Sequence, residues 1–299
     1  MDKKQENLYK NLLVQVQKIR NHNRQGSFKT KQRYYEANDR FCKFLAKKFG
    51  TQKFANIQDK HIEAYIKDMQ ERGLAASTIK TDLGAIRFYH DKTDSKFELS
   101  GNEKYTLEKR KFGGVDRSWS NEEYQKFKKT CEFYGNERVE AVAVLARNEG
   151  LRIHETTRMD RAQVESALHT GELFVKGKGG KERTVPLSSE SREMLKQIIQ
   201  DIPRGEKLFV RNDEKTHLVI KQIQNFIVRH RSEWQQTDRE ENKEENRTFH
   251  GLRHMYAKDR YDELKKQGKS DYEAREAVSR LLGHERDDVT RIYLAKGGE

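Results

Sequence analysis

The sequence predicts a mainly α-helical protein with one small β-sheet, an α+β arrangement divided between two bodies. Three observations carry this. Only 2 of the 299 residues are proline, while the good helix formers Lys, Glu and Gln are frequent. Apolar residues recur with a period near that of an α-helix over most of the chain. One stretch, GELFVKGKGGKERTVPL (residues 171–187), breaks the rhythm with a short apolar run, a glycine-lysine tip and a second short run, which is the pattern of a hairpin.

Taken in order, Leu8, Leu12, Val16 and Ile19 form one helical stripe. Tyr34, Ala37, Phe41, Phe44 and Leu45 form a second, ended by Gly50. Ile62, Tyr65, Ile66 and Met69 make a third, ended by Gly73, and Ile79, Leu83 and Ile86 a fourth. The connections are short, so residues 1–98 are expected to be a small four-helix domain. The period fades from residue 94, and residues 99–117, rich in charge and glycine, read as a linker. A second domain, 118–299, opens at Ser120 with Glu123 three positions on, a capping-box signature. Helices are expected at 121–134 and 137–149, then the hairpin, then helices at 188–201, 217–233, 250–266 and 271–282. The polar run at 237–248 reads as a solvated loop.

Composition narrows the function. Hydrophobic residues make up 33% and charged residues 36%, yet the apolar ones are periodic rather than scattered, so the chain is expected to fold. Nothing approaches 18 consecutive apolar residues, and no charged-then-apolar leader opens the chain. The expectation is a cytoplasmic protein, neither membrane-spanning nor secreted by a Sec signal. Cys42 and Cys131 lie in separate apolar patterns and read as buried thiols rather than a disulfide. The net charge of +13 is unevenly spread. Residues 1–50 hold 13 Lys and Arg against 4 Asp and Glu, and residues 1–117 hold 26 against 15. A positive field gathered in one part of a chain favours a polyanion. No basic amphipathic helix with Trp and Phe anchors supports a membrane surface instead.

Four short motifs could carry chemistry. In GLRIHE (residues 150–155), Glu155 follows Arg152 by about one helical turn and could fix its guanidinium. In KGKGGKER (176–183), no GK[ST] follows, so this is not a nucleotide-binding loop, but Lys178 could reach from the tip into a site elsewhere. In FHGLRHMYA (249–257), His250 and Arg253 share a helical face. His250 and His254 have the spacing of a zinc-protease helix, but Gly251 stands where that chemistry needs glutamate, so no metal is expected. The chain closes with LGHERDDVTRIYL, in which His284 precedes Tyr293 by nine residues. Taken singly, each motif has an ordinary structural reading: a surface ion pair, a solvated turn, a capped helix start, a core aromatic. Together they supply two arginines, a lysine, two histidines and a tyrosine. Arginines can hold the non-bridging oxygens of a phosphodiester, lysine or histidine can donate and accept protons, and a tyrosine so helped can attack.

In this order, over about 145 residues, the four motifs resemble those of the tyrosine recombinases of the phage-integrase and Xer type. The resemblance extends loosely to the N-terminal helices, which are similar to the SAM-like core-site DNA-binding domain of that family. It implies a two-domain DNA clamp and a site-specific recombinase working without metal, ATP or other cofactor. Arg152 and Arg253 would clamp the scissile phosphate, Lys178 would protonate the leaving 5′-hydroxyl, and His250 would act as general base or phosphate ligand. His284 would donate a further hydrogen bond, Tyr293 would form a 3′-phosphotyrosyl link, and Glu155 would support Arg152. Lys80 and Arg87, on the fourth helix, are expected to meet DNA. Expected partners are a double-stranded recombination site, further copies of the chain in a synaptic tetramer, and an accessory DNA-bending or directionality factor.

Two features depart from many relatives. Only six residues follow Tyr293, leaving no room for a long docking helix, and the N-terminus begins almost directly with a helix, without a separate arm-site domain. A simple-site recombinase is therefore expected. The alternatives are a type IB topoisomerase and a DNA-binding accessory protein that no longer cuts.

Overall fold

The computed structural model describes residues 1–108, 116–177, 180–236, 246–284, 290, 291, 293 and 294. The chain forms two compact units, Met1–Arg110 and Lys111–Glu299. The first contains α1 (Lys3–His22), α2 (Phe28–Lys48), α3 (Asp59–Glu71) and α4 (Ala76–His90), as the four stripes require. Leu12 and Val16 of α1, Phe41 and Leu45 of α2, Tyr65 and Met69 of α3, and Leu83 and Ile86 of α4 meet in one core. A buried carboxylate, Asp82, is held there by Arg33 and, at 2.9 Å, by Arg40.

Residues 99–108 behave differently from a free linker. Leu99 is buried, and Tyr105 and Leu107 pack against the same core. Asp59 accepts from the Ser100 backbone N–H, the Ser100 and Tyr105 hydroxyls and Lys104. The helical period fades here because a 3-10 turn (Asn102–Lys104) and side-chain hydrogen bonds replace helix, not because packing ends.

The second unit comprises α5 (Asn121–Phe133), α6 (Glu137–Asn148), α7 (Ile153–Thr156), α8 (Arg161–Thr170), β1 (Glu172–Lys176), β2 (Glu182–Pro186), α9 (Ser189–Ile198), α10 (Thr216–Arg229), α11 (Arg231–Trp234), α12 (Phe249–Lys266) and α13 (Asp271–Leu282). The Ser120–Glu123 capping box starts α5 as expected. The hairpin is an antiparallel pair in which Leu173 faces Val185 and Val175 faces Arg183. Leu173, Val175 and Val185 point into the core. Trp119 stacks on Trp234 at 4.1 Å, and Phe127 meets both edge-on. The expected helix over 217–233 is interrupted at His230 and resumes as α11.

Helix α12 packs against α6 and α13 and is buried from Gly251 to Ala257. Its start fits because of Gly251: a Cβ there would lie 2.5 Å from the Arg117 carbonyl oxygen and 2.5 Å from the Trp119 ring. The Trp119 indole N–H donates to the Thr248 carbonyl at 2.9 Å and fixes that approach. Glycine in HGLRH is thus a packing requirement. Among the described residues no helix is long and apolar enough to cross a membrane.

Candidate active site

Four stretches of the second unit, separated in sequence, deliver the side chains. The chain turns at Gly150, which has φ +65°, and Arg152 caps the short helix α7. The Arg152 backbone N–H donates to Glu155 Oε2 at 2.8 Å, and its Nη1 donates to Oε1 at 2.9 Å. Glu155 is fully buried at its side chain while Arg152 keeps partial exposure. A second guanidinium, Arg183 of β2, forks the same carboxylate at 3.0 and 2.8 Å. Burial alone would raise the Glu155 carboxyl, but Arg183 and then Arg152 outweigh it and hold it at about 2. Glu155 is therefore an anion that orients cations.

Arg253, on α12, is entirely buried. It donates to the carbonyls of Gly150 and Leu282 and lies 3.4 Å from His284 Nε2. Burial, followed by the charge of Arg152, lowers its guanidinium to about 10, so it remains a cation at neutral pH. Its Nε and His284 Nδ1 are buried without a hydrogen-bond partner among the described residues.

Tyr293 is 6% exposed and sits in a small cluster with Tyr256, Ala257, Val278 and Leu282. Its hydroxyl lies 3.0 Å from His250 Nε2. In the tautomer that leaves Nε2 bare, the hydroxyl donates to it, as proton removal by a general base requires. His254 stacks on the Tyr293 ring at 4.3 Å, His284 lies at 5.0 Å and the Arg253 guanidinium at 5.7 Å. Burial first, and then positive neighbours, lowers all three histidines; His254 and His284 fall to about 3. His250, which keeps an exposed face, is lowered by burial and by Arg253, Arg152 and Arg117. The histidines are neutral beside two guanidiniums. Such a site gathers positive charge around an imidazole nitrogen and a hydroxyl within hydrogen-bond distance of one another.

Arg152, Glu155, His250, Arg253, His284 and Tyr293 are thus brought together from positions far apart in the chain. Lys178 lies outside the described residues. Beside its hairpin, a cleft of about 100 Å³ is bounded by Arg152, Gly177, Lys181, Arg183 and Gly283. Lys80 and Arg87 belong to the first unit, where Lys80 donates to the Glu108 carbonyl, and Arg87 to the Ser100 carbonyl and to Asn102. Among the described residues, no three His, Cys, Asp or Glu side chains converge as metal ligands. Sequence reasoning passed over two residues of the site. Arg183 was absorbed into a solvated hairpin, although it shares a strand face with Val185; His254 figured only as an unfulfilled metal ligand.

Comparison with known proteins gives a consistent picture. The profile described as "Phage integrase family" matches residues 118–298, and that described as "Phage integrase, N-terminal" matches residues 10–93. A tyrosine recombinase XerC of Lacticaseibacillus casei (strain BL23) is 23% identical over 280 residues, covering 90% of this chain and 89% of that protein. A XerC of Vibrio parahaemolyticus is 29% identical over 234 residues, covering 76% and 69%. Among solved structures, a lambda integrase dimer bound to a COC′ core site superposes with a TM-score of 0.66 at 19% identity, covering 94% of each chain. The Tn1549 transposon integrase in complex with transposon right end DNA gives 0.63 at 14% identity, covering 96% of each. A lambda integrase tetramer bound to a Holliday junction gives 0.64 at 18% identity, covering 94% of this chain and 76% of that one.

Proposed function

The chain belongs to the phage integrase family, and from that premise we propose that it is a site-specific DNA recombinase whose nucleophile is Tyr293. The observation that carries the reading is the Tyr293 hydroxyl 3.0 Å from His250, beside Arg253 and His284 of the same chain. The hydroxyl oxygen attacks the scissile phosphorus while His250 takes its proton. A Tyr–O–P bond forms, the bond to the 5′-oxygen breaks, and that oxygen leaves as a hydroxyl after receiving a proton, for which Lys178 is the donor. Arg152 and Arg253 neutralise the non-bridging oxygens, where charge grows in the transition state. His284 adds a hydrogen bond, and Glu155 steadies Arg152. Attack by a second 5′-hydroxyl on the phosphotyrosine reverses the bookkeeping of bonds and rejoins the strands. The division into residues 1–98, 99–117 and 118–299 belongs to this reading: a basic N-terminal body as one DNA-binding element, a linker, and residues 118–299 as the cutting element. Lys80 and Arg87 serve DNA with the donors that Glu108, Ser100 and Asn102 leave available. The partners are duplex DNA, further copies of the chain in a tetramer, and an accessory bending or directionality factor.

The test mixes wild type and Tyr293→Phe with nicked duplexes drawn from DNA flanking the gene. An adduct that survives SDS is expected with wild type alone. DNA binding by both proteins with an adduct from neither would defeat the reading in favour of a non-cleaving binder.

A further inference from the structure

We infer that Arg183 is a positioning residue of strand cleavage: a strut that locks Arg152, through Glu155, to the turn that presents His284. The inference rests on the recombinase reading above.

Glu155 is saturated by four donors, two from each arginine. Oε1 accepts from Arg152 Nη1 and Arg183 Nη1, and Oε2 from the Arg152 backbone N–H and Arg183 Nη2, all between 2.8 and 3.0 Å. Arg183 then reaches the other way. Its Nε donates to the Leu281 carbonyl at 2.9 Å, and its Cδ lies 3.0 Å from where a Cβ on Gly283 would stand. Carbonyls in the last turn of a helix have no partner within it. At the end of α13, two successive ones are taken by arginines, Leu281 by Arg183 and Leu282 by Arg253. Cations also suit the negative end of the helix dipole. Gly283 and His284 follow directly, so the orientation of His284 depends on this pair of clamps.

One side chain on β2 therefore fixes α7 and the C-terminus of α13 at once. It is 7% exposed, far from the mobile geometry of a surface ion pair. Among the described residues its hydrogen bonds go to Glu155 and the Leu281 carbonyl, not to Tyr293 or His250, so its action runs through Glu155 and the α13 terminus. Lysine cannot replace it: a single ammonium cannot fork a carboxylate and also donate from a separate Nε.

The experiment measures single-turnover adduct formation on a nicked duplex that wild type cuts, with DNA affinity and thermal midpoint followed in parallel. Arg183→Lys should slow cleavage about 100-fold, the scale of a displacement near 1 Å in a reacting group, with unchanged midpoint and affinity. Arg183→Ala should respond to guanidinium ion, which fits the vacated fork beside the cleft, and not to ammonium. Arg183→Ala combined with Glu155→Gln should lose no more than the worse single variant, because both break one linkage. The inference is overturned if Arg183→Lys cuts at the wild-type rate. It also falls if the loss follows affinity or folded fraction, if guanidinium and ammonium act alike, or if the two losses multiply. If both Arg183 variants fail to fold, Arg183 is a folding residue and the inference falls. Absence of an adduct from wild type itself would instead count against the recombinase reading.

Discussion

His254 reaches Tyr293 without any chance of exchanging a proton with it across the stack, so its contribution is the flat face it offers. The ring lies 4.3 Å from the Tyr293 ring at 24° and is 2% exposed. Burial holds it at about 3, below the unfolded value of about 6.5. Between these values the unfolded chain binds the proton and the folded chain does not, so stability is lost as pH falls from about 6.5 toward 3. Within the window the slope is about 1.4 kcal/mol per pH unit for a group of this kind. Buried Glu149, raised by burial to about 7, contributes in the opposite sense, losing stability as pH rises from its unfolded value toward 7. Subtraction removes that background. His254→Phe keeps a stacking face and abolishes the titration, so urea midpoints at pH 7, 6 and 5 should show the variant gaining on wild type at each step down, with cleavage at pH 7 within about threefold of wild type. A constant difference would mean that His254 is not held neutral. The residues legible in the sequence were those whose type and order carry chemistry by themselves. Arg152, His250, Arg253, His284 and Tyr293, singled out by that order, lie near one another in the second unit. Arg183 was not legible, because a hairpin rich in Lys, Arg and Glu does not declare which arginine turns inward.

Elements were readable where apolar residues are buried in number and unreadable where such burial is sparse. Stripes with a dry and a wet side, such as Phe41 to Leu45 or Ile62 to Met69, emerged as α2 and α3. Helix α8 was missed: Val164 and Ala167 are its buried residues, too few for a stripe. Its sequence signal lay at the cap instead, where Asp160 accepts from the Gln163 backbone N–H at 2.9 Å and the Gln163 side chain returns to the Asp160 N–H. Helices with little apolar burial depend more on such caps. Asp160→Ala should therefore destabilise the second unit by about 1 kcal/mol, read as a drop of a few degrees in its melting midpoint, with no change in the first unit. A drop below half a degree would show that packing beneath β1 alone holds α8. Helix α12, expected over 250–266 and found over Phe249–Lys266, was legible although every residue from Gly251 to Ala257 is buried. What the sequence did not show is why a glycine stands in its first turn, which only the close approach of Arg117 and Trp119 explains.

At the scale of the whole molecule, charge and chemistry are divided differently. The candidate site lies in the second unit, whereas the positive excess lies in the first: residues 1–110 carry 24 Lys and Arg against 14 Asp and Glu. In residues 111–299 the numbers are 37 and 34. Part of the first unit's positive charge is committed internally, as with Arg33 and Arg40 on Asp82 or Lys104 on Asp59, but the excess remains. Counterion release makes affinity fall with salt in proportion to the phosphates neutralised, with a slope of about −0.9 per phosphate in log–log form. If net charge governs attraction to duplex DNA, the first unit supplies most of that slope and the second contributes chemistry and a few ordered contacts around the scissile phosphate. Each unit has its own apolar core, so fragments 1–110 and 111–299 are each expected to fold. Anisotropy titrations on a random-sequence duplex between about 50 and 200 mM KCl should then give fragment 1–110 more than half of the full-length slope. The same titrations should give fragment 111–299 a shallow slope and weak binding. The reverse ranking would place the phosphate contacts in a local cationic surface of the second unit, and net charge would cease to explain how the chain is drawn to DNA.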